Sequence, residues 1–357
     1  MAETDRAWLL LRLNWGLLGA IAAAFALGTL LAGFSIDIPG LIFSLGFVAV
    51  YGGFAHANAR SADRRDPQVV FVLGGTAQIV LVTVLMAPFT YVAAAANFPL
   101  QDANLLALDR TLGLDWAGYI RFVDAHPAVA AVLSYGYTMI RWPIFAIPVV
   151  LAAAGRYRRI EEFTLAFALA LLATTAISAV APAFGAYQQI GLDPGRLQHI
   201  DPRAYLDTVR DLAPVRAGTL RHLDLFGLAG IVTFPSFHAG SAVLYAWAFW
   251  PVRWMRPVAF FANAAMLAST PVDGGHYFID VIAGVAVAIA AIGAARLASA
   301  WATRFSSAAF VCGLDQVDGG GAKKQRRLPS GRLQRQNAPS GERCASANGT
   351  FSAPKIR

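Results

Sequence analysis

Charge is what this chain has least of. Only 14% of its 357 residues are Asp, Glu, Lys or Arg, while 57% are hydrophobic and the mean hydropathy is +0.53. A soluble domain carries about 25% charged residues and needs them to cover its surface. An ordinary soluble enzyme, a disordered chain and a collagen are therefore excluded. Cysteine is almost absent. Cys312 and Cys344 both lie at or beyond the last apolar run, so neither a disulfide framework nor a cysteine metal site can be built from them. The net charge of +8 is concentrated at one end: residues 313–357 hold nine Lys and Arg against three Asp and Glu, which leaves +2 for everything before them. This tail lacks interleaved aromatic residues and a fold of its own, which argues against nucleic acid as a partner. Anionic lipid is the partner expected for a basic stretch beside a membrane span.

Long apolar runs take the place of charge. A helix needs roughly 20 apolar residues to cross about 30 Å of hydrocarbon. Eight runs qualify, at 14–34, 38–55, 68–88, 128–152, 163–182, 236–252, 257–272 and 277–299, the seventh being short. The expected fold class is all-α, a polytopic membrane helix bundle of about eight spans. Residues 1–67 read as a two-span addition to a six-span core at 68–299, followed by a basic, disordered cytoplasmic tail at 300–357. The first run is too long for a cleaved signal peptide, lacks a small-residue cleavage site and follows Glu3 and Asp5. Eight crossings put both termini on one side, together with Arg60, Arg64, Arg65, Arg156, Arg158, Arg159, Arg253 and Arg256. Positive charge marks the cytoplasm. The long polar segments 97–127 and 184–235 are accordingly expected on the outer face of a plasma (inner) membrane. The glycosylation pattern Asn348-Gly349-Thr350 falls on the cytoplasmic side, where it has no consequence.

Against this apolar background two polar clusters stand out: Pro235-Ser236-Phe237-His238, and Gly274-Gly275-His276-Tyr277-Phe278-Ile279-Asp280. His238 opens the sixth run and His276 the eighth, 38 residues apart. Two crossings of about 19 residues return the chain to the same face, so both histidines reach one membrane level. Asp280 lies one helical turn after His276 and can orient its ring, as the carboxylate of a triad does. Either histidine alone would read as an interfacial residue. The pair at matched depth with a carboxylate partner reads as a site, since ionisable groups within spans are costly. Ser236 lies at a helix N-terminus, which favours an anion such as phosphate. Gly274 and Gly275 make a turn, and Gly275 also lets a substrate approach the backbone.

These residues resemble a known family. Thr233-Phe234-Pro235-Ser236-Phe237-His238-Ala239 and His276-Tyr277-Phe278-Ile279-Asp280-Val281-Ile282-Ala283-Gly284 are similar to the second and third motifs of the type-2 phosphatidic acid phosphatase superfamily. Their form, and the segment Leu108-Asp109-Arg110-Thr111-Leu112-Gly113-Leu114-Asp115-Trp116, look most like the branch with inositol phosphorylceramide synthases. The resemblance implies that His276 attacks phosphorus to form a phosphohistidine, that His238 protonates the leaving oxygen and that Asp280 orients His276, with no metal and no cofactor.

Two departures favour phosphotransfer over plain hydrolysis. Ser269-Thr270 stands where the phosphatases have Ser-Arg, and Ser134 stands where their first motif has Lys. Other cations are then needed. Arg141, near the middle of the fourth run, is either a phosphate ligand or the partner of a buried carboxylate. Arg216 and Arg221 precede the second motif, and Arg221 is the loop candidate carried as a phosphate ligand, a solvated loop charge being the alternative. Tyr135, Tyr137, Tyr187 and Tyr205 read as interface or packing residues. The expected activity is inositolphosphotransferase-like, on a membrane lipid phosphate, with water or a polyol as acceptor. The alternatives are a phosphatidic acid or polyprenyl diphosphate phosphatase, and a transporter or metal-binding membrane protein built on the same His/His/Asp cluster.

Overall fold

Prolines and short acidic caps set where the helices begin. The computed structural model describes residues 3–61 and 65–318, with side chains as far as Trp301. Helix α1 (Glu3–Leu31) leads through the two-residue strand β1 (Ser35–Ile36) to α2 (Ile38–Arg60) and α3 (Pro67–Ala94). Asp37 caps α2 by accepting from the Gly40 N–H, and Asp66 caps α3 by accepting from that of Gln68. Each is followed at once by a proline or has one within the first two helical positions, where its missing N–H costs nothing. Three short helices follow, α4 (Asp102–Thr111), α5 (Trp116–Asp124) and α6 (Pro127–Thr138), then α7 (Pro143–Ala153) and the long α8 (Tyr157–Val180). Beyond α8 come α9 (Ala186–Ile190), α10 (Arg203–Ala217) and β2 (His222–Leu223), which pairs in parallel with β1. The chain finishes with α11 (Phe237–Phe249), α12 (Arg256–Asp273) and α13 (Phe278–Asp318).

The all-α membrane bundle expected from the sequence is what the structure contains, and every one of the eight apolar runs is helical. Five helices, α1, α2, α3, α8 and α13 as far as Trp301, have the length and apolarity to cross a membrane. Helices α6 and α7 pass the same test only when taken together, and they are bent by 69° at the break between them, so the structure holds five to six helices of membrane length against the eight expected. Pro143 explains the break. As the first residue of α7 it lacks an N–H and cannot bond back to the Met139 carbonyl, so the hydrogen-bond ladder of α6 is not carried into α7, although Trp142 itself keeps helical angles. The fourth run is thus two half-helices. Arg141, placed near mid-span by the sequence, sits in the turn between them and is exposed on the protein surface. Helices α11 and α12 are 13 and 18 residues long. At 1.5 Å per residue, α11 rises only about 20 Å.

Helices α3 and α8 are the most enclosed, and α2 the least. Their apolar side chains form one core with α1, α7, α11, α12 and α13. Buried polar bonds tie α1 into it: Asn14 donates to the Glu161 carboxylate at 2.9 Å, and Gln78 donates to the Leu11 carbonyl at 2.9 Å. In a bundle surrounded by lipid such bonds hold helices that apolar contact alone cannot orient. A second core, around Trp116, Ile120, Tyr187, Tyr205 and Tyr277, joins the two polar segments into a cap over one end of the bundle. Asp124 accepts from the N–H groups of Gln198 and His199, and Tyr91 of α3 donates to Asp211 of α10 at 2.7 Å.

Residues 1–310 form one compact unit, and residues 311–318 continue α13 in a second. Helix α13 thus runs on well past residue 299. The expectations for the basic residues at 323–357, Cys344 and the Asn348 pattern lie outside the described residues.

Candidate active site

The turn between α12 and α13 presents His276, and the cap clamps it from several directions. Gly275 adopts φ +63°, a conformation side chains rarely take, and a Cβ there would lie 2.6 Å from the Tyr205 ring and 3.0 Å from that of Tyr187. Its carbonyl accepts from the Ala186 N–H at 2.7 Å. Trp116 donates its indole N–H to the His276 carbonyl at 3.0 Å, and Tyr277 donates its hydroxyl to Asp102 at 3.0 Å. Asp102 also accepts from the Phe184 and Gly185 N–H groups, so a single carboxylate joins the segment after α8 to the turn that carries His276. The first N–H groups of α13, at Phe278 and Ile279, both donate to Asp109 at 2.8 Å. Asp109 is therefore a cap supplied from α4 to a helix 170 residues further on. Burial raises the pKa of its carboxyl above the ordinary range, and the two N–H bonds oppose that rise.

Asp280 is fully buried. Its Oδ2 lies 3.3 Å from His276 Nδ1 and accepts from the Tyr277 N–H at 3.0 Å, while its Oδ1 makes no hydrogen bond. The carboxylate faces Nδ1, so the tautomer it favours carries the proton there and leaves the lone pair on Nε2. The 3.3 Å separation is long for a charge-assisted bond; catalytic bonds of this kind shorten when substrate binds.

Helix α11 begins against the first turn of α13. Ser236 caps it, its Oγ accepting from the Ala239 N–H at 3.3 Å, and the Ser236 N–H donates to the Asp280 carbonyl at 3.0 Å. Gly284 makes this approach possible, since a Cβ there would run into the Ser236 carbonyl oxygen. The result brings His238 within electrostatic reach of His276 and of Arg141. The Tyr137 ring stacks on His238 at 3.9 Å between centroids, with 17° between the planes. Tyr137 is a packing residue, as the sequence suggested, and what it packs against is one of the two histidines.

His238, His276, Asp280, Ser236 and Gly275 are thus brought together where α11 meets α13, and Arg141 makes no contact with them but lies near enough for its charge to act on His238. Arg221 does not join them by any contact. It donates to the Val215 and Leu220 carbonyls at 2.7 and 2.9 Å, at the end of α10, and its guanidinium lies 4.8 Å from the Phe34 ring. Arg216 is likewise engaged, with the Phe98 carbonyl at 2.9 Å. The hydroxyls of Ser269 and Thr270 both fold back onto the Met266 carbonyl, so the pair offers no donor in place of the missing arginine. Asp273 escaped the sequence reading. It is buried three residues before His276, its Oδ2 has no hydrogen-bond partner, and its charge acts on Tyr137 and Tyr187. An acidic residue ending an apolar run was the available signal. Among the described residues no three His, Cys, Asp or Glu side chains gather closely enough to hold a metal ion.

The family model of the PAP2 superfamily matches residues 103–294, more than half of the chain, from α4 into α13. The chain belongs to the PAP2 superfamily. The match takes in Asp109, Tyr137, His238, His276 and Asp280, and leaves α1 to α3 outside it. No curated protein and no solved structure matches the chain. Members of the PAP2 superfamily are phosphatases and phosphotransferases, and the membrane-length helices put this one among the integral membrane enzymes of that class.

Of Arg141, Arg216 and Arg221, Arg141 is the one whose charge acts on His238. Arg141→Gln is expected to lower turnover by about tenfold to a hundredfold, the range for loss of a charge stabiliser at a transferring phosphoryl group. Arg221→Gln is expected to lower thermal stability while keeping turnover within about twofold. Side-by-side assays and melting curves of the two variants check this, and full activity in Arg141→Gln would remove that residue from phosphate binding.

Proposed function

We propose that this PAP2 superfamily member is a lipid-phosphate phosphotransferase of the inositolphosphotransferase-like kind, working through a phosphohistidine without a metal. The observation that carries the proposal is the buried His276–Asp280 pair with His238 held opposite it. His276 Nε2 attacks phosphorus and a P–N bond forms as the bond to the leaving oxygen breaks. His238, protonated, gives its proton to that oxygen. It then takes a proton from the acceptor hydroxyl, whose oxygen attacks phosphorus and frees His276. Asp280 stabilises the charge that develops on His276. Arg141 and the N-terminus of α11 face the charge on the phosphoryl oxygens. The missing Ser-Arg pair at Ser269-Thr270 favours transfer to a polyol over hydrolysis.

Incubation of the purified chain with labelled phospholipids, with and without inositol, tests the reading. New labelled lipid or inositol phosphate is expected in the presence of inositol, and activity is expected to survive EDTA. Free phosphate as the sole product from phosphatidic acid or a polyprenyl diphosphate would make it a phosphatase. Loss of activity in EDTA would favour the metal-site alternative.

The active site is proposed to face outward from a plasma membrane. In a background free of Cys312 and Cys344, an impermeant thiol reagent added to intact cells is expected to label Gln189→Cys and to spare Arg253→Cys. The reverse pattern would place the chemistry in the cytoplasm.

A further inference from the structure

At the other end of the bundle from the histidines lies a cleft of about 390 Å³. It is far larger than the about 15 Å³ that one water needs. Arg296 of α13 lines it, sixteen residues beyond Asp280, so the two ends are separated by about 24 Å of helix. Four separate parts of the chain meet there. Helix α1 brings Arg6, the start of α8 brings Arg158 and Arg159 with Arg156 just before it, the turn after α11 closes one wall, and α13 brings Arg296.

Five guanidinium groups thus face two carboxylates, Glu3 and Glu162, a surplus of three positive charges. The pairing is loose. Arg158 and Arg159 share Glu162 at 3.5 and 3.8 Å, and the buried Nε of Arg6 has no hydrogen-bond partner. The charges of Arg156, Arg158 and Arg296 all act on Arg159, which lies 4.1 Å over the Trp247 ring. Exposed basic residues at a membrane surface spread apart into water. Here like charges are held together in a concave space, at a cost that a multiply charged anion would relieve.

We propose that this cleft is a second phosphate-binding site, separate from the His238/His276 site, for the phosphate group of an anionic ligand. Planar guanidinium forks match phosphate oxygens two at a time. Basic pockets between membrane helices at the charged surface are where anionic headgroups bind. The phosphate comes either on a lipid headgroup, entering between α1 and α13, or free from solution.

The test uses the full chain in neutral detergent with two probes, inorganic phosphate and a dioctanoyl phosphonate analogue of phosphatidic acid that cannot be hydrolysed. Equilibrium binding is compared among wild type, R6Q/R296Q, Arg156→Gln and Arg141→Gln. The double variant is expected to bind at least one probe tenfold or more weakly at one class of site, with its melting temperature and circular dichroism preserved. Arg156→Gln, at the exposed rim where folding is not at stake, is expected to weaken the same class of site about threefold. Arg141→Gln is expected to leave it unchanged. Weakening of both probes identifies phosphate itself as sufficient, and weakening of the phosphonate lipid alone identifies a lipid headgroup. If R6Q/R296Q and Arg156→Gln bind both probes as wild type does, the cleft is not a phosphate site.

Discussion

His276→Ala and His238→Ala are each expected to abolish turnover, while the bundle keeps its melting temperature. The two residues are brought to the seam where the Ser236 N–H at the start of α11 donates to the Asp280 carbonyl of α13, and in the proposed reaction one is the nucleophile and the other handles both protons. Neither role has a substitute nearby. Asp280→Asn should cost roughly a thousandfold or more, the scale of losing the carboxylate that fixes a histidine tautomer. The amide keeps the shape and the bond from the Tyr277 N–H, so its effect isolates the charge beside His276. Rapid-quench assays with labelled lipid should also catch label on the wild-type protein, stable to alkali and lost in acid, and none on His276→Ala. Retention of more than a tenth of wild-type turnover by either histidine variant would remove that residue from the chemistry. A loss of tenfold or less in Asp280→Asn would leave Asp280 a structural role only.

Gly284→Ala is expected to be nearly as damaging, although it touches neither histidine. The added methyl would occupy the space of the Ser236 carbonyl oxygen, which is backbone and cannot turn aside. Helices α11 and α13 must then separate. Overpacking of this kind costs about 1–3 kcal/mol. A shift of about 1 Å between reacting groups costs on the order of a hundredfold in rate. The expected result is a lowered melting temperature together with a loss of turnover of about a hundredfold. Gly293→Ala, further along the same helix with nothing within 4 Å of its added carbon, is the control. It should be neutral or more stable by about 0.5–1 kcal/mol, as alanine is in a helix interior. Equal activity in the two variants would mean that the seam between α11 and α13 does not set the distance between the histidines.

Composition and run length determined the class of this protein. A chain with 14% charge and eight long apolar runs has no route to a soluble core, and helices are the solution that satisfies every backbone group in lipid without closing a barrel. The His276–Asp280 pair was legible because a helix places residues four apart on one face, a relation that needs no distant part of the chain. His238 could be matched to it because the chain runs away through α11 and back through α12 to the same level.

Tertiary structure decided the rest. Asp109 and Asp102 lie in the polar segment 97–127, yet they cap the turn that carries His276, across about 170 residues of chain. Capping by a distant carboxylate leaves no local pattern, because the donor helix and the acceptor share no sequence spacing. The sequence offered both Arg141 and Arg221 as candidate cations, Arg141 the stronger. The break between α6 and α7 left one in a turn from which its charge acts on His238, and the end of α10 engaged the other through two carbonyls. The five arginines of the second cleft are scattered from residue 6 to residue 296, and only the three at 156–159 stand together in the sequence. Only the fold brings the ends of α1, α8 and α13 to one cleft, because electrostatic fields add by distance through space and not along the chain.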